Sequence, residues 1–260
     1  MTRQCALVTG ASAGLGAEFA RQLAAAGNNL ILVARRKSAL DTIAQSCAEE
    51  FGVEVDVISA DLSLPDATSE VFAEVRRRGL DVHYLINNAG AYGPDLLEDR
   101  DWPMQQRYIE LMMTSVAGMC HHFIPPMRQR GFGRVVNVAS VAGLVSLAGD
   151  TGYGPYKAYL IALSKGLAAT LASHGVNVMA LCPGFTHTEF HTVDELAKMK
   201  RGSPSFLWYD ADVVVREGLV ALEKGKIVYV SGRLYRYLVP LLGTRFGLWA
   251  MRRMGVRRDY

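Results

Sequence analysis

The stretch Thr9-Gly10-Ala11-Ser12-Ala13-Gly14-Leu15-Gly16 decides how the rest of the chain is read. It stands between a short apolar run, residues 5–8, and a helical pattern, Leu15, Phe19 and Leu23, that Gly27 closes. A strand that runs into a glycine-rich turn and then a helix is the opening unit of an α/β fold. The glycines let the backbone turn tightly and approach a pyrophosphate. The helix N-terminus adds amide donors and the positive end of its dipole. The spacing is G-x-x-x-G-x-G, which differs from the usual G-x-G-x-x-G dinucleotide fingerprint.

Outward from this turn, strand-like and helix-like segments alternate. The hydrophobic pattern predicts further strands over residues 29–33, 53–59, 82–86, 134–138, 176–181 and 226–230. Between them it predicts helices over 38–51, 65–79, about 102–130, about 153–174 and 211–223. The strands are continuously apolar rather than alternating, so both sheet faces are covered by helices, as in a parallel sheet. No linker divides the chain, and one doubly wound domain is the economical reading. Residues 184–209 form the longest irregular stretch and lie beyond a strand end, where such sheets bind ligands.

Further features stand at the ends of successive strands: Asp61-Leu62, Asn87-Asn88-Ala89-Gly90, Ser140 and Pro183-Gly184. Tyr153 follows Ser140 on the next helix, and Lys157 comes four residues later on the same helical face. Neighbouring Tyr156 and Tyr159 lack a Lys at that spacing, since Leu160 and Leu163 stand there.

With these motifs in this order, the sequence resembles the short-chain dehydrogenase/reductase family over residues 4–231. The resemblance implies a doubly wound Rossmann fold, a seven-stranded parallel sheet with helices on both faces. It also implies nicotinamide-dependent interconversion of an alcohol and a carbonyl by a homodimer or homotetramer. It divides the chain into a catalytic domain, 1–231, and a C-terminal extension, 232–260.

The residue chemistry suits that reaction. Carbonyl reduction needs a hydride on carbon and a proton on oxygen. A phenol, with an ordinary pKa of about 10, holds its proton at neutral pH, and a nearby ammonium stabilises the phenolate left behind. Tyr153 is therefore the expected proton donor and acceptor. Ser140 is the hydroxyl that polarises the carbonyl. Lys157 is expected to lower the Tyr153 pKa and to hold the nicotinamide ribose. The family's Asn in the long helix corresponds here to Ser115, whose shorter side chain implies an altered proton relay.

For the cofactor, the resemblance assigns Gly10, Ser12, Ala13, Gly14, Leu15 and Gly16 to the pyrophosphate turn. Asp61 and Leu62 flank the adenine, and Asn88, Ala89 and Gly90 the adenine ribose. Tyr153, Lys157, Pro183, Gly184 and Thr188 meet the nicotinamide end. The second strand ends at Ala34, where an NAD enzyme would carry an acid, and Arg35 follows. A guanidinium grips a 2′-phosphate bidentately, so NADP(H) is expected over NAD(H). Arg36 and Lys37 read as a solvated helix start.

The composition, 50% hydrophobic and 20% charged over 260 residues, excludes a disordered chain, a collagen-like repeat and a disulfide scaffold. Four scattered cysteines without a C-x-x-C pair read as buried residues of a cytoplasmic protein. No secretory leader or membrane-spanning run is read, and no metal is expected from His121, His122, His187 or His191. The expected pocket lining (Ala91, Tyr92, Val141, Leu144, Val145, Leu147, Phe185, Phe190, Phe206, Leu207 and Trp208) favours an apolar carbonyl or alcohol substrate.

The charge is uneven. Residues 224–260 carry nine Lys/Arg against Asp259, a balance of +8, while the preceding residues carry −5. Basic residues flanking apolar and aromatic ones suit an anionic membrane surface, and equally a helix packed over the pocket. Nucleic acid is excluded for want of a binding module. The alternative to an enzyme is a dinucleotide-binding scaffold or redox-sensing module; the Ser-Tyr-Lys set argues against it.

Overall fold

The computed structural model of the chain describes residues 3–97, 99–145, 149–187 and 204–242. Its main sheet takes strands β1 (Cys5–Thr9), β2 (Asn29–Ala34), β3 (Val55–Ser59), β4 (Tyr84–Asn87), β5 (Gly133–Val138), β6 (Val176–Cys182) and β9 (Val228–Val230). All are parallel, in the spatial order β3-β2-β1-β4-β5-β6-β9. The expected seven-stranded Rossmann-type sheet is therefore present.

Each strand divides its side chains between two core layers. On β1, Cys5 and Leu7 enter one layer and Ala6 and Val8 the other. The first layer packs under α3 (Ala67–Arg77), α5 (Ser115–Arg130) and α6 (Tyr153–Leu171), through residues such as Val71, Phe123 and Leu160. The second packs under α1 (Gly14–Ala25), α2 (Lys37–Phe51) and α7 (Ala211–Glu223), through Phe19, Leu40 and Val215. Burial on both faces is why the strands read as unbroken apolar runs. The chain crosses from one side of β1 to the other between β3 and β4. The crevice between the carboxyl ends of β1 and β4 is thus the switch point at which such sheets bind ligands.

Several boundaries differ from the sequence pattern. β3 starts at Val55 because Gly52, at φ 63°, caps α2, and the Glu54 amide donates to the Asn29 side chain at 3.1 Å. β9 starts at Val228 because the Lys226 amide turns back to the Ala221 carbonyl at 3.0 Å. The helix after Tyr153 ends at Leu171, where His174 closes a turn onto the Leu171 carbonyl. The long helix is α4 (Trp102–Ile109) and α5 joined by a π-turn, Glu110–Thr114. The stretch expected to be irregular contains β7 (Thr186–His187) and β8 (Tyr209–Asp210), paired in parallel, with a 3-10 turn at Ser205–Leu207. Beyond β9, helix α8 (Arg233–Leu242) begins the extension.

Candidate active site

Three strand ends bring the polar residues together. Thr9, the last residue of β1, is 1% exposed, and its hydroxyl accepts the amides of Asn88 (2.9 Å) and Ala89 (3.0 Å). The Asn88 side chain donates in return to the Thr9 carbonyl at 3.0 Å. The turn after β1 is thereby sewn to the turn after β4. Gly10 has φ 64°, and a Cβ there would stand 2.9 Å from the Ala89 Cα; at Gly16 a Cβ would stand 2.2 Å from the Gly10 carbonyl oxygen. Both positions require glycine.

Ala13 precedes α1 without any side-chain cap, and the first turn of α1 holds no acid. Its leading amides therefore face outward over the glycine turn, the arrangement that receives a pyrophosphate. Ser12 sits in this turn and accepts from Arg36, whose Nη2 is 3.2 Å from the Ser12 hydroxyl oxygen. Arg35 is exposed beside Asp61. Burial pushes the Asp61 carboxyl up, but two hydrogen bonds from Ser63 and the charges of Arg35 and Arg107 outweigh it and leave Asp61 below the ordinary range. Leu62 is buried. These residues fit a dinucleotide.

At the end of β5, the Ser140 hydroxyl accepts from the Ala142 amide at 3.1 Å and lies within hydrogen-bonding reach of Tyr153. Tyr153 opens α6. One turn on, Lys157 Nζ is 5.6 Å from the centre of the Tyr153 ring and donates to the Val138 carbonyl at 2.8 Å. Gly90 closes the group from the β4 side, since a Cβ there would lie 3.6 Å from Lys157 Nζ. Tyr92 packs against Tyr153 with ring centroids 5.9 Å apart.

Burial pushes the Tyr153 phenol up to about 12; the Ser140 hydrogen bond pulls it down and the Asp150 charge raises it. Lys157 is buried as well. It is 5% exposed, burial lowers its own pKa to about 8, and its ammonium is turned to the Val138 carbonyl. Asp150 caps the start of α6, both carboxylate oxygens accepting the Gly154 amide at 3.0 Å, and is raised by burial and by Asp95.

Ser115, at the foot of the π-turn, is 2% exposed, and its hydroxyl donates back to the Leu111 carbonyl at 2.7 Å. Its proton is thus engaged within its own helix. Pro183 joins the site through its carbonyl, which accepts the Val141 amide at 3.0 Å. Gly184 lies under the ring of Tyr235. Trp208 stacks on Phe185 at 5.0 Å and is buried, whereas Phe206, expected in the lining, is 66% exposed. Thr188, Leu147, Phe190 and His191 fall outside the described residues.

The short chain dehydrogenase family profile matches residues 4–198. The chain belongs to the short-chain dehydrogenase family. As a member of that family it is an oxidoreductase. It is 30% identical over 182 residues to the 7beta-hydroxysteroid dehydrogenase of Collinsella aerofaciens, covering 70% of this chain and 68% of that one. It superposes on the bulky-bulky ketone specific alcohol dehydrogenase of Comamonas testosteroni with a TM-score of 0.79 at 29% identity, covering 100% and 97% of the two chains. A short-chain dehydrogenase of Sphingobium yanoikuyae, solved with NADPH, gives 0.78 at 31% identity, covering 99% and 98%.

Within this short-chain dehydrogenase, sequence reasoning assigned no role to Thr9, Asp150 or Tyr235, and Arg36 read only as a solvated helix start. Thr9 precedes the glycine turn and carried a readable signal, as a β-branched hydroxyl at a strand end. The other three are recognisable only by what they touch. All four cysteines are buried and unpaired. Among the described residues, no group of three His, Cys, Asp or Glu is placed to hold a metal, and no helix is long and apolar enough to cross a membrane.

Proposed function

We propose that the protein is an NADP(H)-dependent carbonyl reductase that interconverts a bulky apolar ketone and its secondary alcohol. The observation that carries this reading is the convergence of Ser140, Tyr153 and Lys157 beside Gly90. The glycine turn and the α1 amides would hold the pyrophosphate, with Arg35 and Arg36 on the 2′-phosphate. Asp61 and Leu62 would flank the adenine, and Asn88 to Gly90 its ribose. Lys157 would hold the nicotinamide ribose, and Pro183, Gly184 and Thr188 the ring.

When bound, the reduced nicotinamide supplies the hydride that the carbonyl carbon accepts. The rest falls to the chain. The Ser140 hydroxyl donates a hydrogen bond to the carbonyl oxygen, and Tyr153 passes its proton to that oxygen as charge builds there. With the phenol near 12, Tyr153 stays protonated through the neutral range and is ready as an acid. In the reverse direction the phenolate takes up the alcohol proton, so oxidation is favoured by alkali. Val141, Leu144, Phe185 and Trp208 supply apolar surface around the substrate carbonyl. The substrates named for the steroid and bulky-ketone relatives are of the same bulky kind.

The test is NADPH oxidation over a panel of bulky ketones with wild type and Tyr153→Phe. Wild type should turn over at least one of them. The variant should lose roughly 10²–10⁴-fold in kcat, as expected for a missing general acid, while its NADPH Kd stays within about threefold. Tight NADPH binding with no turnover of any ketone would instead favour the scaffold reading.

A further inference from the structure

The C-terminal extension is anchored in the candidate site rather than beside it. Helix α8 turns two residues inward at helical spacing, Tyr235 (8% exposed) and Val239 (7% exposed), and packs on the 3-10 turn Val141–Leu144 that follows Ser140. The Tyr235 hydroxyl accepts the Phe185 amide at 3.2 Å and donates to the Leu207 carbonyl at 2.9 Å. Phe185 leads into β7 and Leu207 into β8, and these two strands pair. One phenol thus ties together the backbone on both sides of that pairing.

The ring also lies directly on Gly184, where a Cβ would come within 2.0 Å of it. The start of α8 is fixed independently. Glu217 of α7 accepts the Gly232 amide at 3.1 Å and Arg236 Nη2 at 3.0 Å, and Tyr209 accepts the Leu234 amide at 3.4 Å.

We propose that Tyr235 is a positioning residue of the active site: through its ring on Gly184 and its hydroxyl between Phe185 and Leu207, the extension sets the backbone that borders the substrate. Tyr235 does not reach the reacting atoms. It acts through Gly184 and Phe185, which follow Pro183, and the Pro183 carbonyl is bonded to the residue next to Ser140. The proposal deepens the carbonyl-reductase reading and rests on it only for its kinetic consequence.

The deciding variant is Tyr235→Phe in the full chain, which keeps the ring over Gly184 and removes only the hydroxyl. Hydrogen–deuterium exchange of the peptide containing Phe185, measured without cofactor, should speed up roughly two- to tenfold, the effect of losing one hydrogen-bond acceptor. The KM for a bulky ketone should rise about three- to tenfold with kcat changed less, and Tm should fall by about 2–12 °C for the two hydrogen bonds lost. Unchanged exchange at Phe185 overturns the proposal whatever the activity. Faster exchange with both kinetic constants at wild-type values also overturns it, since the hydroxyl would then be merely structural.

Two further results keep the readings apart. Gly184→Ala should damage ketone KM far more in wild type than in a Tyr235→Ala background, where the ring is gone; equal damage in both contradicts the contact. If wild type reduces no ketone, the carbonyl-reductase reading fails alone. Tyr235 is then judged by exchange and NADPH Kd: faster exchange with a weakened Kd supports it, and any other result overturns it.

Discussion

Replacing Thr9 by Val tests whether the junction of β1 and β4 holds the cofactor crevice together. The two side chains are nearly isosteric, so no cavity opens, and the change is confined to hydrogen bonding. Thr9 is 1% exposed, and water cannot stand in for its hydroxyl. The Ala89 amide, 3.0 Å from Thr9 Oγ1, loses its acceptor, while the Asn88 amide keeps the Ile86 carbonyl at 3.1 Å. Orphaning the Ala89 amide, half-buried but facing the buried Thr9 side chain, costs about 1–3 kcal/mol, and the weakened Asn88 bond and the lost 3.3 Å donation to Ile86 add about 1 kcal/mol.

The expected loss is therefore about 3 kcal/mol, or a fall in Tm of about 6–12 °C for a domain of this size. Thr9→Ser keeps every bond and loses one methyl, about 1 kcal/mol. Urea unfolding of the three proteins gives the comparison. NADPH titration should in addition show a weaker Kd for the Val variant, because Asn88 and Ala89 are the proposed ribose contacts. A Val variant within about 0.5 kcal/mol of wild type, or a Ser variant as unstable as Val, would refute the reasoning.

Three other outcomes are expected. Arg36→Ala and Arg35→Ala should each lower kcat/KM with NADPH about tenfold, the value of a charge-assisted contact, and leave NADH within about threefold; equal efficiency of wild type with both cofactors would sink the preference for NADPH. Lys157→Met should change the pH dependence of stability. Burial depresses the Lys157 pKa from 10.5 to about 8, so between those values the unfolded chain holds a proton that the native protein does not, and the residue's contribution rises with pH across that window. Unfolding at pH 7.5 and 10.5 should show the variant lacking a rise of roughly 3 kcal/mol, and parallel curves would count against it. Asp150→Asn removes a charge that raises the Tyr153 pKa, so the alkaline rise of kcat/KM for alcohol oxidation should move to lower pH; an unmoved profile would show that Asp150 only caps the helix.

What could be read from the sequence were features carried by neighbours along the chain. The glycine turn, the Tyr153/Lys157 pair one turn apart and the continuously apolar strands are local patterns, and backbone geometry turns them directly into structure. What escaped were contacts between distant positions. Thr9 meets Asn88 and Ala89 across 79 and 80 residues, and Tyr235 meets Phe185 across 50. Arg36 was read as solvated because three cations in a row carry no direction; its reach to Ser12 depends on how β2 delivers it. The π-turn before Ser115 is a slip of backbone hydrogen bonds with no compositional mark. The sequence shows that Lys157 is near Tyr153, but not that burial acts on both groups.

The extension illustrates the same limit and its resolution. An amphipathic basic helix reads alike whether its apolar face meets a membrane or its own domain. In α8, Tyr235 and Val239 of that face are buried against the domain. Withdrawing Tyr235 and Val239 from the domain would cost roughly 1.5–3 kcal/mol for each side chain, before the two hydrogen bonds of Tyr235 are counted. Attraction to an anionic surface yields about 1 kcal/mol per cation. Of the two cations in α8, Arg236 already pairs with Glu217 at 3.0 Å, which leaves Arg233. Electrostatic attraction on α8 therefore cannot undock it. Tyr235 and Val239 therefore hold the first turns of a segment that looks like an appendage by charge to the domain by packing.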